Sequence, residues 1–282
     1  MSVSWMNHDV VAFETSGLYA RSLPLATGVT VQYVVHGESA APWDVPVVFL
    51  HGISDSWRSF APVLGLLPEQ RAIAFTQRGH RDVTQPRYGY TATDFAADLL
   101  AFLDAMGIPR AVLVGHSLGS SVVLRFAIDY PERVAGLVLV GANATWQGNP
   151  LVEDLWENVV SHLTDPVDPE FVRAFQSSDR IPAERLEMMI AESLQVPVRV
   201  WQDVGRAILA ADITDELPRI SAPVLVIWGA EDPICSQEQQ ARLCALIPRA
   251  ELLVYPDAAH NLHWEHPERF AVDLGDFLAW IG

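Results

Sequence analysis

Gly115-His116-Ser117-Leu118-Gly119 places a hydroxyl between two glycines, directly after the apolar run Ala111–Val114. The spacing fits G-x-S-x-G, in which a strand turns sharply into a helix and presents a serine at the bend. The same residues would also suit a serine capping a helix in a glycine-rich turn, so partners must decide. A serine hydroxyl is a weak nucleophile at neutral pH. It needs a base, and the base needs an acid to orient it. Downstream, Asp232 lies in Gly229-Ala230-Glu231-Asp232-Pro233, just after the apolar run Val224–Trp228. His260 follows the run Glu251–Val254 through the loop Tyr255-Pro256-Asp257-Ala258-Ala259. Loops after parallel strands lie on the sheet edge where open α/β folds build their sites. Glu231 is the rival acid and reads as a solvated neighbour; Asp232 itself could cap the helix that begins at Gln237. His263 and His266 are the rival bases. Both read as surface or helix-start residues, so His263→Ala is expected to be nearly silent. The chain order Ser117, Asp232, His260 is the order that accompanies a strand–turn–helix nucleophile.

Those loops need strands to hold them. Val29–His36, Val45–Leu50, Arg71–Phe75, Ala111–Val114, Val134–Val140, Val224–Trp228 and Glu251–Val254 read as strands. Helical spacing marks Thr93–Met106, Leu118–Tyr130, Gln237–Leu246 and Pro267–Trp280. Strands alternating with helices give an α/β fold with a mostly parallel sheet covered on both faces. From Trp146 to Leu217 the alternation stops. Leu151, Val152, Leu155, Trp156, Val159, Val160 and Leu163 recur at three- and four-residue spacing. Ile181–Leu194 and Val200–Ala211 are also helical, and five prolines punctuate the stretch. The expected organisation is therefore a core of residues 1–145 and 218–282 with a helical insertion at 146–217. Trp146, Leu151, Leu155, Trp156, Val159, Phe171, Phe175, Met188, Met189 and Trp201 are its candidates for lining an apolar pocket or for packing the insertion onto the sheet.

Composition narrows the possible functions. The 282-residue chain carries a formal charge of −17, which would repel nucleic-acid phosphates and anionic membranes. All eighteen basic residues are arginine, so chemistry that needs a lysine amine is excluded. No apolar run is long enough to span a membrane, and Met1–Asp9 lacks the basic start and apolar core of a signal peptide. A soluble, cytoplasmic protein is expected. Cys235 and Cys244 fall nine residues apart on a predicted helix, where a turn of about 100° per residue sends them to opposite faces. Neither a disulfide nor a metal cluster is expected, and no cofactor is implied.

The motifs "FLHGISDSW" (49–57), "GHSLGSS" (115–121), "YPERVAGLVLV" (130–140), "PVLVIWGAEDPI" (223–234) and "AAHNLHWEHPERF" (258–270) together resemble the α/β-hydrolase superfamily over nearly the whole chain. The resemblance implies an eight-stranded sheet, a first strand near Thr15–Leu23, and a helical cap over the site. It implies an oxyanion hole made by the backbone N–H groups of Leu118 and Ile53, each donor worth about 10²–10³ in rate. His51 would be a structural loop histidine. Trp57, Trp146 and Trp156 become candidate substrate contacts. One loop departs from the family pattern: Thr76 stands where an aspartate is common, and Arg81 where the second glycine of Arg-Gly-x-Gly would be. The function implied is a serine hydrolase acting on an ester or lactone, and the apolar insertion favours a small or medium, partly apolar acyl compound. Carbon–carbon bond hydrolysis, perhydrolase activity and ligand sensing with a protein partner use the same fold. A serine at the elbow argues against subfamilies that need a carboxylate nucleophile. Oligomeric state is left open.

Overall fold

The computed structural model describes residues 17–37, 45–67, 70–176 and 178–282. The N-terminal stretch read for a signal peptide, and Thr15–Ser16 of the expected first strand, lie outside these. The described chain runs β1 (Arg21–Pro24), β2 (Thr30–His36), β3 (Val47–Leu50), α1 (Ala61–Leu64), β4 (Ala72–Thr76), α2 (Ala92–Ala105), β5 (Ala111–His116), α3 (Leu118–Asp129) and β6 (Val134–Val140). There follow α4 (Pro150–Asp154), α5 (Pro169–Gln176), α6 (Ala183–Ser193), α7 (Val198–Ala210), β7 (Val224–Gly229), α8 (Gln237–Leu246), β8 (Ala250–Tyr255), α9 (Leu262–Glu265) and α10 (Pro267–Ile281).

Eight strands form one sheet in the order β1-β2-β4-β3-β5-β6-β7-β8. β1 and β2 are antiparallel additions at one edge; β4 onward is parallel. Side-chain alternation explains the two-sided burial. In β3, Val48 and Leu50 face one core with Phe95, Leu99, Val122 and Phe126 from α2 and α3. Val47 and Phe49 face the opposite core with Phe60, Leu64, Phe270 and Leu274. Two helix starts are fixed by their caps. Thr91 with Asp94, and Ser236 with Gln239, form reciprocal capping boxes at α2 and α8.

The first strand begins at Arg21, later than expected, because only Arg21–Pro24 pairs with β2. The predicted continuous helix through Leu151–Leu163 is also revised. After α4 the chain widens into a π turn at Leu155–Val159 and tightens into a 3₁₀ turn at Val160–His162. Trp156 lies on that π turn and packs onto α7, where a Cβ on Gly205 would sit 2.4 Å from its ring. Helix α5, with only Phe171, Val172 and Phe175 to mark it, was not legible in the apolar spacing. The whole excursion between β6 and β7 starts and ends at one place: Thr145 and Asp212 form an antiparallel bridge, and Thr145 Oγ1 donates to the Ala211 carbonyl. Among the described residues no helix is long and apolar enough to cross a membrane.

Candidate active site

Ser117 occupies φ 51°, ψ −111°, a left-handed conformation that costs a non-glycine residue free energy. The surroundings impose it. Ser117 N–H donates to the Val140 carbonyl at 2.9 Å, and the buried Ser120 hydroxyl lies 2.6 Å from the Gly115 carbonyl. Helix α3 approaches β3 so closely that a Cβ on Gly119 would lie 2.1 Å from the Leu50 carbonyl oxygen. A Cβ on Gly115 would in turn meet the Gly119 backbone at 2.5 Å. The two motif glycines therefore let strand, turn and helix pack against β3 while the serine between them stays accessible.

The loops after β7 and β8 join at this turn. His260 Nδ1 lies 2.8 Å from Asp232 Oδ2, so Nδ1–H donates to the carboxylate and Nε2 is left as the basic nitrogen. Asp232 Oδ1 accepts from the N–H groups of Ile234 and Cys235 at 2.8 and 3.1 Å. The helix cap that Asp232 might have supplied is Ser236 instead. Burial opposes charge on both partners, yet each charge stabilises the other. His260 is held above its ordinary 6.5, and Asp232, helped by the two N–H groups, below its ordinary 3.8. Gly141, at φ 56° after β6, leaves room for the imidazole; a Cβ there would meet His260 Cε1 at 2.5 Å. His116, the residue before the serine, donates from Nε2 to the His260 carbonyl at 3.2 Å and so ties the two loops together. Burial, followed by its histidine neighbours, drives its pKa well down and keeps the ring neutral.

Two expected positions are corrected. His263 is fully buried on α9, not at the surface. Its ring stacks on Phe60 at 4.7 Å, packs against His116 at 4.5 Å, and its Nε2 lies 3.0 Å from Ser59 Oγ. One turn of chain after His260 rotates it inward. His263→Ala is therefore not silent: it should cost about 2–4 kcal/mol of stability by emptying a packed site, read as a lower Tm, without matching the activity loss of His260→Ala. Trp57 does not contact the cavity. It sits in the core on the α10 side of the sheet, with its backbone N–H donating to Thr76 Oγ1 at 3.2 Å and Arg58 over its ring. The positive φ of 68° at Ser54 turns the chain away before Trp57 is reached.

His51 serves structurally, as its loop position suggested. Its Nε2 accepts from Gln77 N–H at 2.9 Å, and Gln77 Nε2 donates back to the His51 carbonyl at 2.8 Å. Thus the departing loop straps the His51–Gly52 turn in place, although Thr76 and Arg81 themselves do not line the cavity. Arg81 instead pairs with Glu192 of α6 and with Asp82.

Ser117 and His260 open onto a cavity of about 580 Å³. Ile53 and Leu118 border it. Leu118 is the first residue of α3, so its N–H belongs to the turn that no intrahelical carbonyl can satisfy. Trp146, Leu155, Trp156, Phe171 and Phe175 line the opposite side. Met188, Met189 and Trp201 do not; Trp201 packs edge-on behind Phe171 and Phe175. Asp55 and Arg180 also face the cavity and were missed from sequence. The available signal for Asp55 was its place in "HGISDSW". Its carboxyl is buried, takes hydrogen bonds from Gln176 and Ser59, and is pushed up to about 7, chiefly by burial.

Asp232, Cys235 and His260 bring an oxygen, a sulfur and a nitrogen within 4.8 Å of one another. They suit a metal poorly. The oxygen and nitrogen already bond each other, and burial followed by the Asp232 charge pushes the Cys235 thiol well up, away from the thiolate that metals take. Both cysteines are free, and Cys235 precedes α8, so only Cys244 is helical.

Comparison with known proteins places the chain in a family. The alpha/beta hydrolase fold family matches residues 45–267. A 2-hydroxy-6-oxononadienedioate/2-hydroxy-6-oxononatrienedioate hydrolase of Paraburkholderia phymatum is 28% identical over 268 residues, covering 86% of this chain and 90% of its own. A solved N-acyl homoserine lactone degrading enzyme is 28% identical with a TM-score of 0.76, covering 89% of this chain and 97% of that one. A thermophilic esterase from Thermogutta terrifontis superposes with a TM-score of 0.81 over 93% of this chain and 99% of its own; at 23% identity that likeness is one of fold.

Proposed function

The chain belongs to the alpha/beta hydrolase fold family, and on that footing we propose that it cleaves a carboxylic ester or lactone through an acyl-enzyme. The observation that carries this reading is one juxtaposition. A serine held at positive φ and an aspartate-backed histidine open onto the same apolar cavity. Ser117 Oγ attacks the carbonyl carbon while His260 Nε2 takes its proton. Asp232 holds the imidazole and stabilises the imidazolium. The Ile53 and Leu118 N–H groups receive the oxyanion. His260 then returns the proton to the departing alcohol, and water repeats the sequence on the acyl-enzyme. Residues 146–217 act as a cap that shapes the acyl pocket, with residues 1–145 and 218–282 as the core; Trp146 and Trp156 contact the acyl group. A second reading, carbon–carbon bond hydrolysis with the same residues, draws support from the dienedioate hydrolase relative.

A fluorophosphonate should label the native protein stoichiometrically at Ser117, with turnover of short 4-nitrophenyl esters lost in parallel. Labelling at another residue would overturn the assignment. Turnover should also depend on pH in a defined direction. The base must be neutral to accept a proton, and Asp232 holds His260 above its ordinary 6.5. The kcat/KM for a neutral ester should therefore rise with pH through a midpoint above 6.5. A midpoint below that value would mean that the carboxylate does not support the imidazolium.

A further inference from the structure

We propose that the cavity selects substrates without a negative charge, and that Glu231 enforces the selection by occupying Arg180. The inference rests on the cavity being the substrate site, as above. All eighteen basic residues are arginine, and every one lies among the described residues. Arg180 alone of them lines the cavity. It is already committed. One terminal nitrogen donates to the Glu231 carboxylate, the other to the Asp257 carbonyl, and Nε lies 3.9 Å from Asp179. Two of its five N–H groups, one on each terminal nitrogen, are thereby taken, and the Glu231 carboxylate matches the charge that a ligand carboxylate would seek in a two-pronged grip.

The other charged groups facing the cavity oppose an anion. Asp179 and Glu265 are acids, and Asp55, its carboxyl pushed up by burial, offers an anion no positive partner in either form. The positive form of His260 is matched by Asp232, and His116 is kept neutral. A carboxylate tail would have to leave water for walls of Trp156, Phe171 and Phe175 without a partner, whereas a neutral tail gains by the same burial. Glu231 is half exposed at the rim and does not itself line the cavity. Its replacement by the isosteric glutamine removes the charge that holds Arg180 and leaves the guanidinium able to take a ligand anion. In the native chain, dicarboxylate substrates, such as the name of the Paraburkholderia relative implies for that protein, are expected to be poor.

Two measurements on the full chain test this. Calorimetric titration with unreactive hexanamide and hexanoate reads selection without turnover; the native protein should bind the amide at least about tenfold more tightly. Steady-state kinetics should favour 4-nitrophenyl hexanoate over the singly ionised 4-nitrophenyl monoester of adipic acid by about 100-fold in kcat/KM. In Glu231→Gln both ratios should shrink by about fivefold or more, chiefly through KM of the anionic ester. Adding Arg180→Gln should restore them. Equal affinity of the native protein for amide and carboxylate, including no binding of either, overturns the proposal even if esters are cleaved. Ratios unmoved in Glu231→Gln overturn the part assigned to Glu231. Selective binding with no ester turnover would instead overturn the ester-hydrolase reading and leave the charge selection standing.

Discussion

Ser117→Ala is expected to lower kcat for a neutral ester by about 10⁴-fold or more, with Tm close to that of the native protein. The loss follows from chemistry: without Oγ no acyl-enzyme forms, and only binding and the two N–H donors remain. The unchanged stability follows from the surroundings. The hydroxyl makes no capping hydrogen bond to α3, and alanine suffers the same positive φ as serine. Measuring burst and steady-state rates beside a thermal melt separates the two effects. Activity retained in this variant would sink the covalent mechanism, whereas a collapsed Tm would show that the hydroxyl had a structural duty.

Gly119→Ala should act in the opposite way, through the fold. The added Cβ would sit 2.1 Å from the Leu50 carbonyl oxygen, 2.7 Å from its carbon and 2.9 Å from the His51 carbonyl oxygen. All three are backbone atoms, so no side chain can swing aside. Helix α3 must move off β3, and with it Leu118 moves relative to Ile53. We expect a loss of about 3 kcal/mol or more, or roughly 10 °C in Tm, with turnover falling in the fraction that still folds. Gly65→Ala is the control: it lies in helical backbone with nothing within 4 Å of the added Cβ, and should be nearly neutral. Equal effects of the two changes would mean that the close approach at the elbow yields without cost.

The elbow was legible because its demands are local. A small residue on each side of Ser117, an apolar strand before it and an apolar helix after it all fall within a few positions. Asp232 and His260 were legible because each follows a strand, the buried β7 and the edge strand β8, and parallel strands carry their loops to one edge. Facing directions across longer distances were not. Trp57 and His263 have the types of cavity residues, yet Trp57 is turned away by the bend at Ser54, and His263 is rotated into the core by the short helix α9. The π turn at Leu155–Val159 hid for a similar reason: three- and four-residue spacing does not distinguish a regular helix from one with a widened turn. Arg180 offered no apolar period at all. Its part depends on the Glu231 carboxylate and the Asp257 carbonyl, which only the folded chain brings to it.

The bridge between Thr145 and Asp212 gives the excursion between β6 and β7 the character of a cassette. Its two ends are clasped side by side, and Ile213 N–H donates to the Ala144 carbonyl just beneath them. Beyond that clasp, side-chain ties such as Gln176 to Asp55 and Arg81 to Glu192 hold the excursion over the strands that carry Ser117, Asp232 and His260. A graft that begins after Thr145 and ends before Asp212 should keep the sheet's register, and on the proposed function it should keep hydrolysis while exchanging the substrate range. On the proposed function, a chain built this way lets specificity and chemistry change on separate schedules.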